Sequence, residues 1–231
     1  MIVAAAHHRR VAADAWQRLL GQEERSRVHA ARLVEDLDRL GAPASLLAAA
    51  RQVATDEARH VELCAGVVSA LGHAAELPRV DAPVMPSEGE DLEQAVAELL
   101  VAGFAVAETM SVGGFVAVRR EATEPLVHAA LTQIAREEVR HGAFGEAASA
   151  WVLRGWTPAR RRALWPACVA AMESVERRGG GTCDGHAPTV SELAALGAPS
   201  AGVGGAGLLR AISRWVLPRL ARLGVLPEVE A

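Results

Sequence analysis

Along residues 11–40 the apolar side chains Trp16, Leu19, Leu20, Ala30, Val34 and Leu37 recur at three- and four-residue steps, the period of one helical face. This spacing predicts a long amphipathic helix. Gly41-Ala42-Pro43 ends it, and a second periodic stretch runs from Ala44 to about Leu71. A connection that short makes the two helices an antiparallel pair. Residues 72–89 carry Gly72, Pro78, Pro83, Pro86 and Gly89, which cannot continue a helix, and are long enough to run from one end of a helical bundle to the other. A third helix is predicted from about Glu90 to Arg120. Within it, Leu99 to Val118 has Glu108 as its only charged residue. Twenty such residues could cross a membrane. The neighbouring helices are rich in Arg, Asp and Glu, so the pattern favours a central helix buried on all sides by protein. Thr123 is placed to cap a fourth helix with Pro125 in its first turn, ending near Leu153. The expected fold class is therefore all-α, with two antiparallel helical hairpins joined by one long crossover.

Beyond it, Pro158 to Arg177 reads as a fifth helix and residues 179–207 as a Gly-rich loop, containing Gly179-Gly180-Gly181 and Gly204-Gly205. Leu208 to Leu223 reads as a basic amphipathic helix interrupted at Pro218. A membrane-surface role would suit that last helix, but packing on the outside of the bundle is the favoured reading. The chain thus divides into a bundle over residues 1–155 and a helical extension over 156–231.

Composition removes several kinds of chemistry. All 24 basic residues are Arg, and neither Lys nor Tyr occurs, which excludes a Schiff base, a phosphate-loop lysine and a tyrosyl radical. The net charge of −4 argues against a nucleic-acid partner, although residues 154–222 carry ten Arg against four acids. Cys64, Cys168 and Cys183 contain no Cys-x-x-Cys pair, so neither a zinc-ribbon site nor a disulfide framework is expected. The first sixteen residues lack the order of a targeting signal, and a cytoplasmic location is the expectation.

The informative motif occurs twice. Asp56-Glu57-Ala58-Arg59-His60 lies midway along the second helix and Glu137-Glu138-Val139-Arg140-His141 midway along the fourth, 81 residues apart. Glu and His three apart project from one helical face, where a carboxylate and an imidazole can converge on one metal ion. A single Glu-x-x-His is ordinarily a solvated ion pair. Two copies with matching flanks are not readily accidental. Each such helix needs a partner carboxylate at the same height, and the distances from the two turns offer Glu23 or Glu24 to the first motif and Glu108 to the second. Glu23 is preferred because it shares the stripe of Trp16, Leu19, Ala30 and Val34. Glu108, amid apolar residues, would be costly without a cation.

These six residues resemble the ferritin-like di-iron carboxylate superfamily, whose pattern is Glu, Glu-x-x-His, Glu, Glu-x-x-His on four helices. Within it, by Glu23 with Ser26, Leu40-Gly41-Ala42-Pro43, the first motif with Cys64, Glu108-Thr109 and the second motif, the chain is similar to a group of small bacterial ferritin-like proteins found in myxobacteria. The resemblance covers residues 11–155 and, more loosely, the helix around 208–223. It implies a ferritin-like four-helix bundle, with Glu23, Glu57 and His60 on one iron, Glu108, Glu138 and His141 on the other, and carboxylates bridging. The flanks look like those of di-iron hydroxylases and desaturases, where an acid accepts a hydrogen bond from a metal-bound imidazole and is itself held by Arg. Asp56, Arg59, Glu137 and Arg140 would then orient the ligands. Cys64, one turn after His60 on the same face, is a candidate for lining the cavity, with a plain buried Cys the equal alternative.

The expected function is an oxidoreductase in which two Fe ions, or Fe/Mn or Mn, use O2 as co-substrate to hydroxylate, N-oxygenate or desaturate an organic substrate, free or carrier-bound. An electron-donor protein and a homodimer belong with that expectation; a transmembrane segment does not. Iron or peroxide handling is the alternative, and a metal-free helical binding scaffold the second alternative. Cys183 and His186 are two metal-type ligands in the Gly-rich segment, too few for a site.

Overall fold

A computed structural model of the chain describes residues 2–82, 85, 89–179, 188–198 and 201–228. All the regular elements among these residues are helices, with no strand. Helices α1 (Ala6–Arg39) and α2 (Ala44–Ala70) pack along their length as a hairpin. The tight turn is made by Gly41, whose φ of +72° belongs to the left-handed region. Gln17 on α1 holds the crossover, its Oε1 accepting from the Glu76 amide at 3.1 Å.

The third helical run comprises α3 (Gly89–Glu98), a ten-residue π-helical segment (Leu99–Glu108) and α4 (Thr109–Glu121). It packs on α5 (Pro125–Val152), which also contacts α2. This run, Asp91–Glu121, is long and apolar enough to cross a membrane by length and composition, and half of its most apolar window is buried. It is therefore not enclosed on every side: Ala102, Gly103, Ala107 and Ser111 face a cavity. Pro125 begins α5 as expected, but Glu124 rather than Thr123 is its cap, because proline at the first helical position makes its predecessor the cap. The Thr123 amide instead donates to the Ala195 carbonyl at 3.2 Å.

The C-terminal part differs from expectation in three places. The fifth helix is two, α6 (Pro158–Arg162) and α7 (Trp165–Gly179), since Pro166 can neither donate to the Arg162 carbonyl nor fit beside it. The segment read as a Gly-rich loop contains α8 (Pro188–Ala195) and α9 (Ala201–Ala211), packed on α1 and α4. From α9 the chain passes through a short π segment (Ile212–Val216) into α10 (Leu217–Leu223), so Pro218 sits in a first turn and does not interrupt the helix. Gly180, Gly181, Cys183 and His186 lie outside the described residues.

Two apolar clusters fill the interior. One gathers Leu33, Leu37, Leu100, Phe104 and Val152, the other Trp16, Leu20, Val67, Leu131 and Ile134. Apart from Asp36, which sits beside Leu33 and Leu37, the buried acids and histidines of α1, α2 and α5 fall between the two clusters, so a polar layer crosses the middle of the core.

Candidate metal centre

The layer is built by the repeated motif. On α2, Asp56, Glu57 and His60 are fully buried, and on α5 Glu137, Glu138 and His141 nearly so. Glu23 arrives from α1, buried, and Glu108 ends the π segment, half-buried. Two groups of ligand atoms result. Glu23, Glu57 and His60 form one, and Glu57, Glu108, Glu138 and His141 the other, with the atoms of each within 4.8 Å of one another. All six expected ligands thus come together.

Glu57 joins the two halves. Its Oε1 is 3.0 Å from His141 Nδ1 and its Oε2 3.7 Å from His60 Nδ1. Glu138 mirrors it, with Oε2 at 3.5 Å from His141 Nδ1 and Oε1 at 3.6 Å from His60 Nδ1. Glu23 Oε2 stands 3.2 Å from His60 Nδ1. Glu24 is turned away into a two-bond contact with Arg27, each bond 2.7 Å, which separates the two candidates on α1.

The outer ring nitrogens face a second row of acids, and the pairing is crossed between helices. His60 Nε2 of α2 lies 3.1 Å from Glu137 Oε2 of α5, whereas His141 Nε2 of α5 is 3.5 Å from Asp56 Oδ2 of α2. Arg140 donates to Asp56 at 2.9 Å and reaches Glu137 at 3.2 Å, and Arg59 bonds both acids from the other side. Gln52 and Gln133 complete the row, donating to Asp56 at 2.8 Å and Glu137 at 2.6 Å. Sequence reasoning missed these two glutamines. They too are 81 residues apart, one turn before the acids, so the repeat extends further than the charged residues alone suggest.

Electrostatics separates the two rows. Burial works against the charge of Asp56, but Arg140 and Gln52 outweigh it and keep its carboxyl below the usual value. In the inner row, among the described residues, no Arg pairs with Glu23, Glu57, Glu108 or Glu138. Burial, reinforced by Glu108 and Glu23 against the opposing pull of His141, lifts Glu57 to about 8. Glu138 is raised well above its ordinary value by burial and by Glu108. Burial disfavours the charged form of both imidazoles, yet the surrounding carboxylates, Glu23 for His60 and Glu57 for His141, raise them. Acceptors dominate this space. Both oxygens of Glu57, Oε2 of Glu138 and both nitrogens of His141 are buried without a hydrogen bond; the 3.0 Å approach of His141 Nδ1 to Glu57 is not aligned as one.

A cavity of about 540 Å³ opens on one side of the layer, between α1, the third helical run, α7 and α9. Glu23, Glu108 and Glu138 contribute to its wall, and most of the rest is apolar. Cys64 is not in that wall. It is buried on α2, where burial and the charges of Glu23 and Glu57 push its thiol well above the usual value.

Comparison with known proteins found no family model, curated protein or solved structure that matches the chain.

Proposed function

We propose that the chain is a ferritin-like di-metal oxidoreductase that uses two iron ions and O2 to oxidise an organic substrate held in the apolar cavity. The observation that carries this reading is the inner row: four carboxylates and two imidazoles, all buried but the half-buried Glu108, with five polar atoms lacking partners. Unpaired buried acceptors are costly, and two divalent cations would neutralise four carboxylates. The donor set also fits. Mixed carboxylate and imidazole ligands suit non-haem iron, with manganese the nearest substitute, and the repeated Glu-x-x-His pattern is the one described for carboxylate-bridged di-iron and di-manganese bundles.

Glu23, Glu57 and His60 would hold one ion, and Glu108, Glu138 and His141 the other, with Glu57 and Glu138 positioned between them. Such a pair supplies electrons and open coordination positions for activating O2. The protein residues do the rest. Glu137 meets the outer nitrogen of His60 at hydrogen-bond distance and Asp56 stands 3.5 Å from that of His141, positions that would orient each ring with its Nδ1 lone pair facing inward. Arg59 and Arg140 hold those acids in place by ion pairs, and Arg140 favours the charged form of Asp56. The apolar wall excludes water and presents a substrate to the Glu23, Glu108 and Glu138 side of the layer.

The test is metal per chain after anaerobic Fe(II) loading, followed by O2 uptake. Two irons and O2 consumption in proportion to Fe(II) are expected. No bound metal would leave a helical scaffold. A multi-subunit shell that oxidises and stores iron would favour iron handling instead, but the cavity beside the layer supports an organic substrate.

A further inference from the structure

The cavity has a chemical direction that the metal site does not explain. On α1 its lining extends from Val11 to His29, roughly 27 Å of helix at 1.5 Å per residue, so it is elongated. Its volume is within the range of small-molecule sites. Ala15, Leu19, Ala102, Phe115 and Leu208 make much of it apolar. At the rim stand Arg25 of α1 and Arg178 of α7, both exposed, and both also border the shallow depression beside it, where Arg18 and the exposed Glu76 are the other charged residues.

Neither guanidinium has a carboxylate within 4 Å among the described residues; Arg178 donates only to Ser174 Oγ, at 2.6 Å. This contrasts with Arg27, Arg32, Arg59, Arg140 and Arg219, each of which meets an acid. The rim has a positive field. Burial and then Arg25 lower the pKa of Arg178, and burial followed by Arg25 lowers that of His29. Glu98, the one acid in the wall outside the inner row, is engaged by Gln94 at 3.0 Å.

From this geometry we infer that the cavity takes a long-chain organic anion, its charged head held by Arg25 and Arg178 and its apolar body lying along α1 past Glu23, Glu108 and Glu138. A neutral ligand would leave two like charges facing each other unanswered, and a cationic one would be repelled. A carboxylate, by contrast, can accept charge-assisted bonds from both guanidiniums. The apolar length of the cavity requires a chain, since each methylene buried adds to binding in proportion to its area. The inference rests on the proposed function only for what becomes of the ligand, not for its binding.

The experiment is calorimetric titration of the full-length chain with dodecanoate, octanoate and dodecanol, with metal content measured on the same samples. Dodecanoate should bind one per chain, at least about tenfold tighter than dodecanol or octanoate. The Arg25→Ala/Arg178→Ala variant should bind the acid no better than the alcohol, with its helical circular dichroism unchanged. Arg178→Glu alone should reduce dodecanoate affinity further than Arg178→Ala. Three results would each overturn the inference: no binding, equal affinity for acid and alcohol, or an acid preference that survives in the double variant. Two metals per chain without acid preference would remove this inference and leave the di-metal reading. Acid preference in a chain that takes up no metal would do the reverse.

Discussion

Glu57 is the one residue that belongs to both groups of ligand atoms, and this asymmetry separates the six candidates experimentally. Glu57→Ala should abolish binding of both metal ions, whereas Glu23→Ala should leave about one per chain, because only the His60 half depends on it. Elemental analysis of the two variants after identical loading checks the difference; full metal content in Glu57→Ala would refute the assignment. The crossed acids allow a finer test. Glu137→Ala should weaken the His60 half and Asp56→Ala the His141 half, each by about 10- to 100-fold in metal affinity, read by competition with a chelating dye. The convergence of the candidate ligands was legible in the sequence, since Glu and His three apart share a helical face whatever surrounds them. The crossing was not. Spacing within a helix gives the direction of a side chain around its axis but not which neighbour it meets, so it left Cys64 between a cavity-lining and a plain buried position. Gln52 and Gln133 escaped because an amide carries no charge to draw attention, although the offset of 81 relates them as well.

At the scale of elements, glycine has opposite effects in two places. Gly113 of α4 and Gly207 of α9 bring two backbones into contact: a Cβ on Gly113 would lie 2.5 Å from the Gly207 carbonyl oxygen and 2.9 Å from the Ala211 Cβ. Gly205, two residues from Gly207 on the same helix, has nothing within 4 Å. Gly113→Ala should therefore cost about 1–3 kcal/mol through forced separation of α4 and α9. Gly205→Ala should be neutral or stabilise by up to about 1 kcal/mol through helix propensity. Urea unfolding of the pair distinguishes the two, and equal effects would contradict the close crossing. The same feature explains why α9 was not legible in the sequence. Repeated glycine reads as loop by local propensity, and the tertiary contact that glycine permits makes it a helix. The π segment was equally hidden, because its apolar pattern is uninterrupted through Leu99–Ala107. It coincides with Gly145 of α5, where a Cβ would stand 2.5 Å from the Ala105 amide nitrogen and collide with Phe104. The widened turn ends at Glu108, the half-buried candidate ligand, in keeping with the frequent occurrence of π geometry at functional sites.

For the molecule as a whole, the question is how the C-terminal extension is attached to the helices that carry the site. Arg219 of α10 donates to Glu146 of α5 at 3.0 Å, and also to Thr109, which follows Glu108; Arg222 adds a bond to Glu146 at 2.6 Å. A Cβ on Gly142, the residue after His141, would lie 2.6 Å from both Arg219 Nη1 and Thr109 Oγ1, so α10 reaches in directly behind the candidate ligands. Glu146 is the acid common to both arginines. The hydrogen bond from Arg222, against a smaller opposing effect of burial and with the charge of Arg219 added, holds its carboxyl below the ordinary 4.5. A depressed carboxylate pKa stabilises the folded state above the unfolded value and loses that contribution as pH falls through the folded one. The attachment should thus be intact near neutrality and weaken only below the usual glutamate range. Glu146→Gln should have a lower Tm than the wild type near neutral pH, and the two curves should converge as acid protonates Glu146 in the parent chain. Cleavage after Arg219 or Arg222 by trypsin should be faster in the variant near neutrality. A Tm gap that stays constant with pH would mean that the glutamine disturbs packing rather than charge, and the ion pairs would then not be what secures α10 beside Thr109 and His141.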